Sequence, residues 1–235
     1  KISASDVEAA CGALGNVHHV QPGVVSVTQA TELGTLYTVD EIGAVCEAAS
    51  RRGLRVHLDG ARIANAVAAI GGGRETFRRL TFGAGVDAVS FGGTKNGMLG
   101  AEVVLLRPGL ADGRAEFLRK QAAQLPSKMR YPAAQFVAAL EKDLWLSTAA
   151  HANEMAALLY SLVSDLEELR LYPPQVNSMY PYLSPAARAE LQAWSFFWDW
   201  DLPSGQVRWM TSWDTTESDV RSFADGVREA LRGTK

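Results

Sequence analysis

Along the chain the apolar positions change period several times. From Ser3 to Leu14, the residues Val7, Ala10, Cys11 and Leu14 recur at helical spacing behind a serine and an aspartate, which predicts a short surface helix. Val24-Val25-Ser26-Val27-Thr28 is brief and β-branched, as a buried strand is, and Thr31 to Gly34 supply turn chemistry. Asp40 is expected to cap a helix with Ile42, Val45, Cys46 and Ala49 on one face, closing on two arginines and Gly53. The strand Leu54 to Asp59 comes next, then helices near Ala61 to Ile70 and Arg74 to Leu80. The strand Ala88 to Phe91 runs into glycines, and Glu102 to Leu106 forms a further strand. Strands alternating with helices predict a mostly parallel α/β sheet, whose strand C-termini form the functional edge. Asp59 and the segment after Phe91 occupy such ends.

From Asp112 the pattern lengthens into helices over Ala115 to Leu125, Ala133 to Leu140 and Leu146 to Leu166, until Pro173 and Pro174 interrupt it. A β-rich stretch at Val176 to Tyr180, a helix opened by Pro185, the strand Val207 to Ser212 and a helix from Thr216 to Leu231 predict a smaller α+β domain. The expected division is residues 1–145 for the large α/β domain and 146–235 for the small one. No internal repeat stands beyond the α/β alternation.

Composition narrows the class. With 235 residues, 47% hydrophobic and 21% charged, the chain can bury a substantial core. A net charge of −3 with mixed signs offers no continuous basic face and no polybasic cluster, which argues against nucleic acid and membrane as partners. The cysteines Cys11 and Cys46 sit among small apolar residues and read as buried hydrophobes, which fits a reducing cytoplasm. No apolar run approaches the roughly 20 residues that span a bilayer, and no signal-peptide pattern stands at the start. The first residue is lysine, and a helical pattern opens at once, as expected of a processed, truncated or incompletely represented chain.

The sharpest chemistry lies in His57-Leu58-Asp59-Gly60-Ala61-Arg62 and Ser90-Phe91-Gly92-Gly93-Thr94-Lys95-Asn96-Gly97. A lysine that forms a Schiff base must be held, partly desolvated, near a rigid loop, and flanking glycines let the backbone approach a bulky cofactor. A carboxylate at a strand end can keep a pyridine nitrogen protonated, so that the ring accepts carbanion electrons. Taken alone, Asp59 reads equally as a solvated or capping acid, and Lys95 as a surface charge. A phosphate-loop reading of the glycines fails, because Thr94 rather than glycine precedes the lysine and Asn96 follows it.

Together the two stretches resemble the threonine aldolase family, within the fold type I pyridoxal-phosphate (PLP) enzymes that include β-eliminating lyases. The likeness runs from Lys1 to Lys235 and takes in Thr28-Gln29-Ala30-Thr31-Glu32-Leu33-Gly34, Lys128-Met129-Arg130-Tyr131 and Val207-Arg208-Trp209-Met210-Thr211-Ser212-Trp213. The resemblance implies a PLP cofactor on Lys95, Asp59 at the pyridine nitrogen, and Arg62 in the polar network of cofactor and substrate. Thr94 and His57 join the cofactor site, and Arg208 grips the substrate carboxylate, a task that suits a planar guanidinium. Lys120 and Arg130 are either ordinary surface charges or, by the resemblance, contacts to the cofactor phosphate of a neighbouring subunit in a homodimer or homotetramer. The implied reaction cleaves L-threonine, L-allo-threonine or a related β-hydroxy-α-amino acid to glycine and an aldehyde. The alternatives are a β-eliminating lyase and a non-catalytic remnant. Family members also take a glycine-rich phosphate-binding turn and a ring stacked on the cofactor from an N-terminal part; on that expectation this chain either continues before Lys1 or binds PLP poorly.

Other residues carry plainer expectations. His57 faces the same side as Asp59 and is either a packed, hydrogen-bonded histidine or a supporting group of the site. His18 and His19 lie near a loop without the carboxylates or cysteines that a metal site needs, so no metal is expected. His151 is structural or surface, and Trp194, Phe196, Phe197, Trp198 and Trp200 are expected in the small-domain core or at a subunit contact.

Overall fold

The computed structural model describes residues 1–110 and 113–232; Asp112, where the long helical pattern of the sequence starts, lies outside the described residues. The chain divides into two compact units, one of Lys1–Thr31 with Leu36–Trp145 and one of Glu32–Thr35 with Leu146–Lys235.

The first unit contains α1 (Ala4–Ala10), β1 (Val24–Thr28), α2 (Val39–Arg51), β2 (Arg55–Gly60), α3 (Ile63–Ala69), α4 (Arg74–Leu80), β3 (Ala88–Gly92), β4 (Glu102–Leu106), α5 (Arg114–Gln121) and α6 (Arg130–Glu141). Its sheet has four strands in the order β1-β2-β3-β4, the first three parallel and β4 antiparallel to β3. Capping sets the helix starts. Ser3 and Asp6 close a reciprocal capping box on α1. On α2 the capping residue is Thr38 rather than Asp40: the Thr38 hydroxyl accepts from the Glu41 amide at 3.1 Å, and the Glu41 carboxylate accepts from the Thr38 amide at 2.7 Å. Asp40 instead sits inside the first turn, where its charge suits the helix dipole. The helix after β2 starts at Ile63, with Arg62 as its N-cap, and the helix after β4 stops at Gln121, shortly before Ala123 at a φ of 56°.

Register gives the sheet two unlike faces. Val27, Leu58 and Val89 lie side by side and are buried on one, together with Val56 and Phe91, and α2 adds Ile42, Val45, Cys46 and Ala49 to the core. On the other face Thr28, Asp59 and Ser90 stand in one row, with Ser26 and His57 in the next. Burial, and then the neighbouring Asp87, pushes the Cys46 thiol up to about 11, so it stays protonated and inert.

The second unit holds most of α7 (Leu144–Val163), then β5 (Ser178–Met179), α8 (Pro185–Gln192), β6 (Trp198–Asp201), β7 (Gln206–Met210) and α9 (Glu217–Arg232). A three-stranded sheet runs β5-β7-β6, antiparallel throughout. Its core gathers Leu159, Leu191, Val207, Trp209 and Val227 among others. Of the aromatic group only Phe197 is buried; Trp194, Phe196, Trp198 and Trp200 are exposed, so of the two expectations, core or subunit contact, the core placement holds for Phe197 alone. Among the described residues, no helix is long and apolar enough to cross a membrane.

Asp87 ties the sheet at the N-terminal end of β3, opposite the functional edge. Its buried carboxylate accepts from the Val56 amide at 2.8 Å and pairs with Arg107 at 2.5 Å and Arg55 at 3.3 Å. The arginines are largely exposed and contribute little, whereas the Val56 amide would be left without an acceptor. Asp87→Ala is therefore expected to cost about 1–3 kcal/mol in urea unfolding; a loss under about 0.5 kcal/mol, the range of an ordinary surface change, would contradict this account.

Candidate active site

The site begins with the alternation along β2. Val56, Leu58 and Gly60 are buried, so His57 and Asp59 must face the opposite side, where both are half-buried. One Asp59 oxygen accepts from the Ala61 amide at 3.0 Å. Its other oxygen has no hydrogen bond among the described residues, and the carboxylate thus keeps acceptor capacity at the C-terminal end of a central strand. Neighbouring backbone is firm: the Gln29 amide donates to the Asp59 carbonyl at 2.9 Å, and the fully buried Gln29 side chain bridges both backbone groups of Tyr37.

His57 is bridged between strands. Its Nδ1 lies 2.8 Å from the Ser26 hydroxyl on β1, and its Nε2 lies 2.9 Å from the Ser90 hydroxyl on β3. A hydroxyl can donate or accept, so the two serines satisfy a neutral imidazole in either tautomer. Ser26 and Ser90 escape a reading of the sequence alone, since only the register brings them to His57. Arg62 follows at the N-cap of α3, half-buried.

Lys95 follows β3, whose C-terminal end shares an edge with that of β2 because the two are parallel, with Gly60 beside Phe91. The residues Thr94–Asn96 form a tight 3-10 turn held from several directions. The Gly93 amide donates to the Ala101 carbonyl at 3.0 Å, the Gly93 carbonyl accepts from the Asn96 and Met98 amides at 2.9 and 3.1 Å, and the Thr94 amide donates to Glu102 at 3.2 Å. Asn96 is buried, and its side chain donates to the Trp145 carbonyl at 2.8 Å. Gly97 closes the turn at a φ of 93°, a conformation that glycine adopts without strain. The backbone is fixed while the Lys95 side chain is exposed, with no hydrogen bond or ion pair among the described residues. The expectation of a partly desolvated lysine is not met in the chain by itself; Thr94 is exposed too.

Arg208 belongs to the second unit. On β7 the residues Val207 and Trp209 enter the core, so Arg208 faces away from it. It is half-buried, has no hydrogen bond or ion pair among the described residues, and lies with its guanidinium carbon 5.5 Å from the ring centre of Trp200. Lys120, in the last turn of α5, and Arg130, at the start of α6, are exposed and no contact joins them to Asp59 or Lys95. His18 and His19 are exposed in a loop, and the His151 Nε2 lies 2.7 Å from the Thr215 carbonyl, a structural contact.

An acid whose second oxygen has no hydrogen bond among the described residues thus ends β2, and a lysine on a pinned turn follows the neighbouring parallel strand β3. Residues 1–185 match the model of the beta-eliminating lyase family, and the chain belongs to that family. It is 41% identical over 219 residues to a low specificity L-threonine aldolase of a Pseudomonas species, covering 92% of this chain and 62% of that protein. The chain thus spans rather less than two thirds of that relative's length. Among solved structures it superposes on the threonine aldolase of Leishmania major with a TM-score of 0.85 and 28% identity, over 98% of this chain and 68% of that one. A serine palmitoyltransferase of Sphingomonas wittichii matches with a TM-score of 0.69 at 15% identity, over 99% of this chain and 59% of that one, which is a likeness of fold. The resemblance to threonine aldolases and the fold type I architecture read from the sequence are borne out.

The turn's packing yields a direct test. A Cβ on Gly93 would stand 2.5 Å from the Ala101 carbonyl oxygen and from the Met98 sulfur, and 3.1 Å from Phe136. The thioether can move, but the backbone oxygen cannot, so Gly93→Ala is expected to destabilise the protein by about 1–3 kcal/mol. Amide hydrogen exchange at Asn96 and Met98 should quicken with it; unchanged protection would show that the turn is not held through Gly93.

Proposed function

We propose that the chain carries the lysine site of a PLP-dependent aldolase that cleaves L-threonine, L-allo-threonine or related β-hydroxy-α-amino acids to glycine and an aldehyde. The observation that carries this reading is Lys95: an amine without an ion pair among the described residues, on a turn fixed by buried contacts, at the sheet edge it shares with Asp59. The likeness to low specificity L-threonine aldolases supports the choice of reaction.

The donor set fits PLP. Lys95 would hold its aldehyde carbon, Asp59 would accept a hydrogen bond from its protonated pyridine nitrogen, and Thr94, Arg62 and His57 would complete the polar surroundings. When bound, the cofactor supplies an electron sink for the carbanion left as the Cα–Cβ bond breaks. The chain's own part is positional and electrostatic. Asp59, with the oxygen that has no hydrogen bond among the described residues, would keep a proton at the ring nitrogen, while Ser26 and Ser90 hold the His57 ring in place on the same face of the sheet. Arg208 would take the substrate carboxylate with a two-pronged guanidinium. In a homodimer or homotetramer, Lys120 and Arg130 would reach the cofactor phosphate of a neighbouring subunit.

A second reading, β-elimination from an amino acid, uses the same lysine and acid, and the family that the chain matches is named for it. Product analysis separates the two: glycine with acetaldehyde from L-threonine supports the aldolase, and ammonia with a keto acid supports the lyase. Lys95→Ala is expected to abolish PLP-dependent turnover with the fold retained. Asp59→Asn should keep cofactor but lose on the order of 100-fold or more in turnover, because a neutral amide cannot hold the nitrogen protonated. Arg208→Lys should raise KM for amino acids more than it weakens PLP binding. Wild-type turnover in Asp59→Asn would refute the assignment of the acid.

A further inference from the structure

The surroundings of Arg208 carry a further inference, which rests on the reading of that residue as the carboxylate-binding group. β6 and β7 pair antiparallel with Trp198 opposite Arg208, and Trp200 brings its indole to the guanidinium, 5.5 Å from ring centre to the guanidinium carbon. Trp200 is itself braced. Tyr180 meets it edge to face, with ring centres 5.1 Å apart and planes at 71°, and the Tyr180 hydroxyl donates to the Glu32 carbonyl. The Tyr180 carbonyl accepts from the Gln206 side chain at 3.3 Å, which ties the brace to the start of β7.

Arg208 has no acidic partner among the described residues, unlike three other arginines of its unit, while Arg170, 6.0 Å from the Tyr182 ring centre, shares its aromatic setting. Arg188 pairs with Asp199 at 3.5 Å, Arg221 with Glu217 at 2.6 Å and Arg228 with Asp165 at 2.7 Å. An acidic partner would hold Arg208 equally well, but it would occupy the same N–H groups that a ligand carboxylate needs. An aromatic face attracts the cation through its π-cloud and leaves the N–H groups in the guanidinium plane open. Asp199, between the two tryptophans in sequence, stands opposite Val207 rather than Arg208 and pairs with Arg188.

We infer that Trp200 is a positioning residue: its indole, braced by Tyr180, holds the Arg208 guanidinium with its N–H groups free for the substrate carboxylate. The test compares the 235-residue chain with Trp200→Leu and Trp200→Phe, using L-threonine turnover and the Arg208 Nε–H resonance of the cofactor-free protein, assigned through Arg208→Lys. Trp200→Leu should raise KM by about 2- to 30-fold, the span of a cation–π contact, and Trp200→Phe should recover most of the loss. For Trp200→Leu, kcat should stay within about twofold, since the lost interaction serves binding before and during the reaction alike. The Arg208 resonance should lose its ring-current shift in Trp200→Leu and keep much of it in Trp200→Phe. Trp200 lies on an exposed edge strand, and Trp200→Gln repeats the measurement should the leucine variant misfold. A folded variant lacking the aromatic ring with unchanged KM, or with kcat and KM both impaired and no rescue by phenylalanine, overturns the inference while the aldolase reading stands. A wild-type chain without PLP-dependent turnover overturns that reading and this inference with it.

Discussion

The register of β2 between β1 and β3 is the constraint on which the first unit depends. A one-residue slip would exchange Val56 and Leu58 for His57 and Asp59, burying an imidazole and a carboxylate among α2's apolar residues. The hydrophobic demand of one face therefore fixes the chemistry of the other. The same parallel pairing brings the ends of β2 and β3 to one edge, so the acid and the lysine turn meet there without a dedicated contact between them. Asp87 locks the far end of the same strands, and the register is held from both ends.

Against this scaffold the state of the charges is informative. Glu8 is shared by Arg51 and Arg52, which hold its carboxyl below the usual range, and Asp165 is lowered in the same way by Arg228. Such exposed pairs contribute little stability and mark ordinary surface. Lys95 and Arg208 have no such partner among the described residues, though each sits on backbone that is well tied down. Fixed backbone with an uncommitted cation is the arrangement that a ligand-binding group requires, because a carboxylate neighbour would compete with the ligand.

Much of this was legible in the sequence, for physical reasons that differ by residue. Asp59 stood out because an acid ending a strand of alternating apolar residues is placed by the strand itself, and Lys95 because the glycines around it announce a tight turn. The bridging of His57 by Ser26 and Ser90 was not legible, since it depends on pairing between residues 31 and 33 positions apart. The strand Trp198–Asp201 was missed because its aromatics were read only as core or subunit contact and not for the alternation of an edge strand, where all four residues are exposed. Thr38 was passed over for Asp40 because both are good caps by type, and only the reciprocal bond to Glu41 decides between them.

The central claim is that Lys95, of all the lysines in the chain, is the one presented to a carbonyl cofactor. Its most direct test is to equilibrate the protein with saturating PLP, reduce with borohydride, digest, and locate the modified lysine by mass spectrometry. The account predicts that the adduct falls on the peptide carrying Lys95 and that free amines such as Lys120 and Lys142 remain largely unmodified. Modification spread evenly over the surface lysines, or concentrated on any residue other than Lys95, would contradict it.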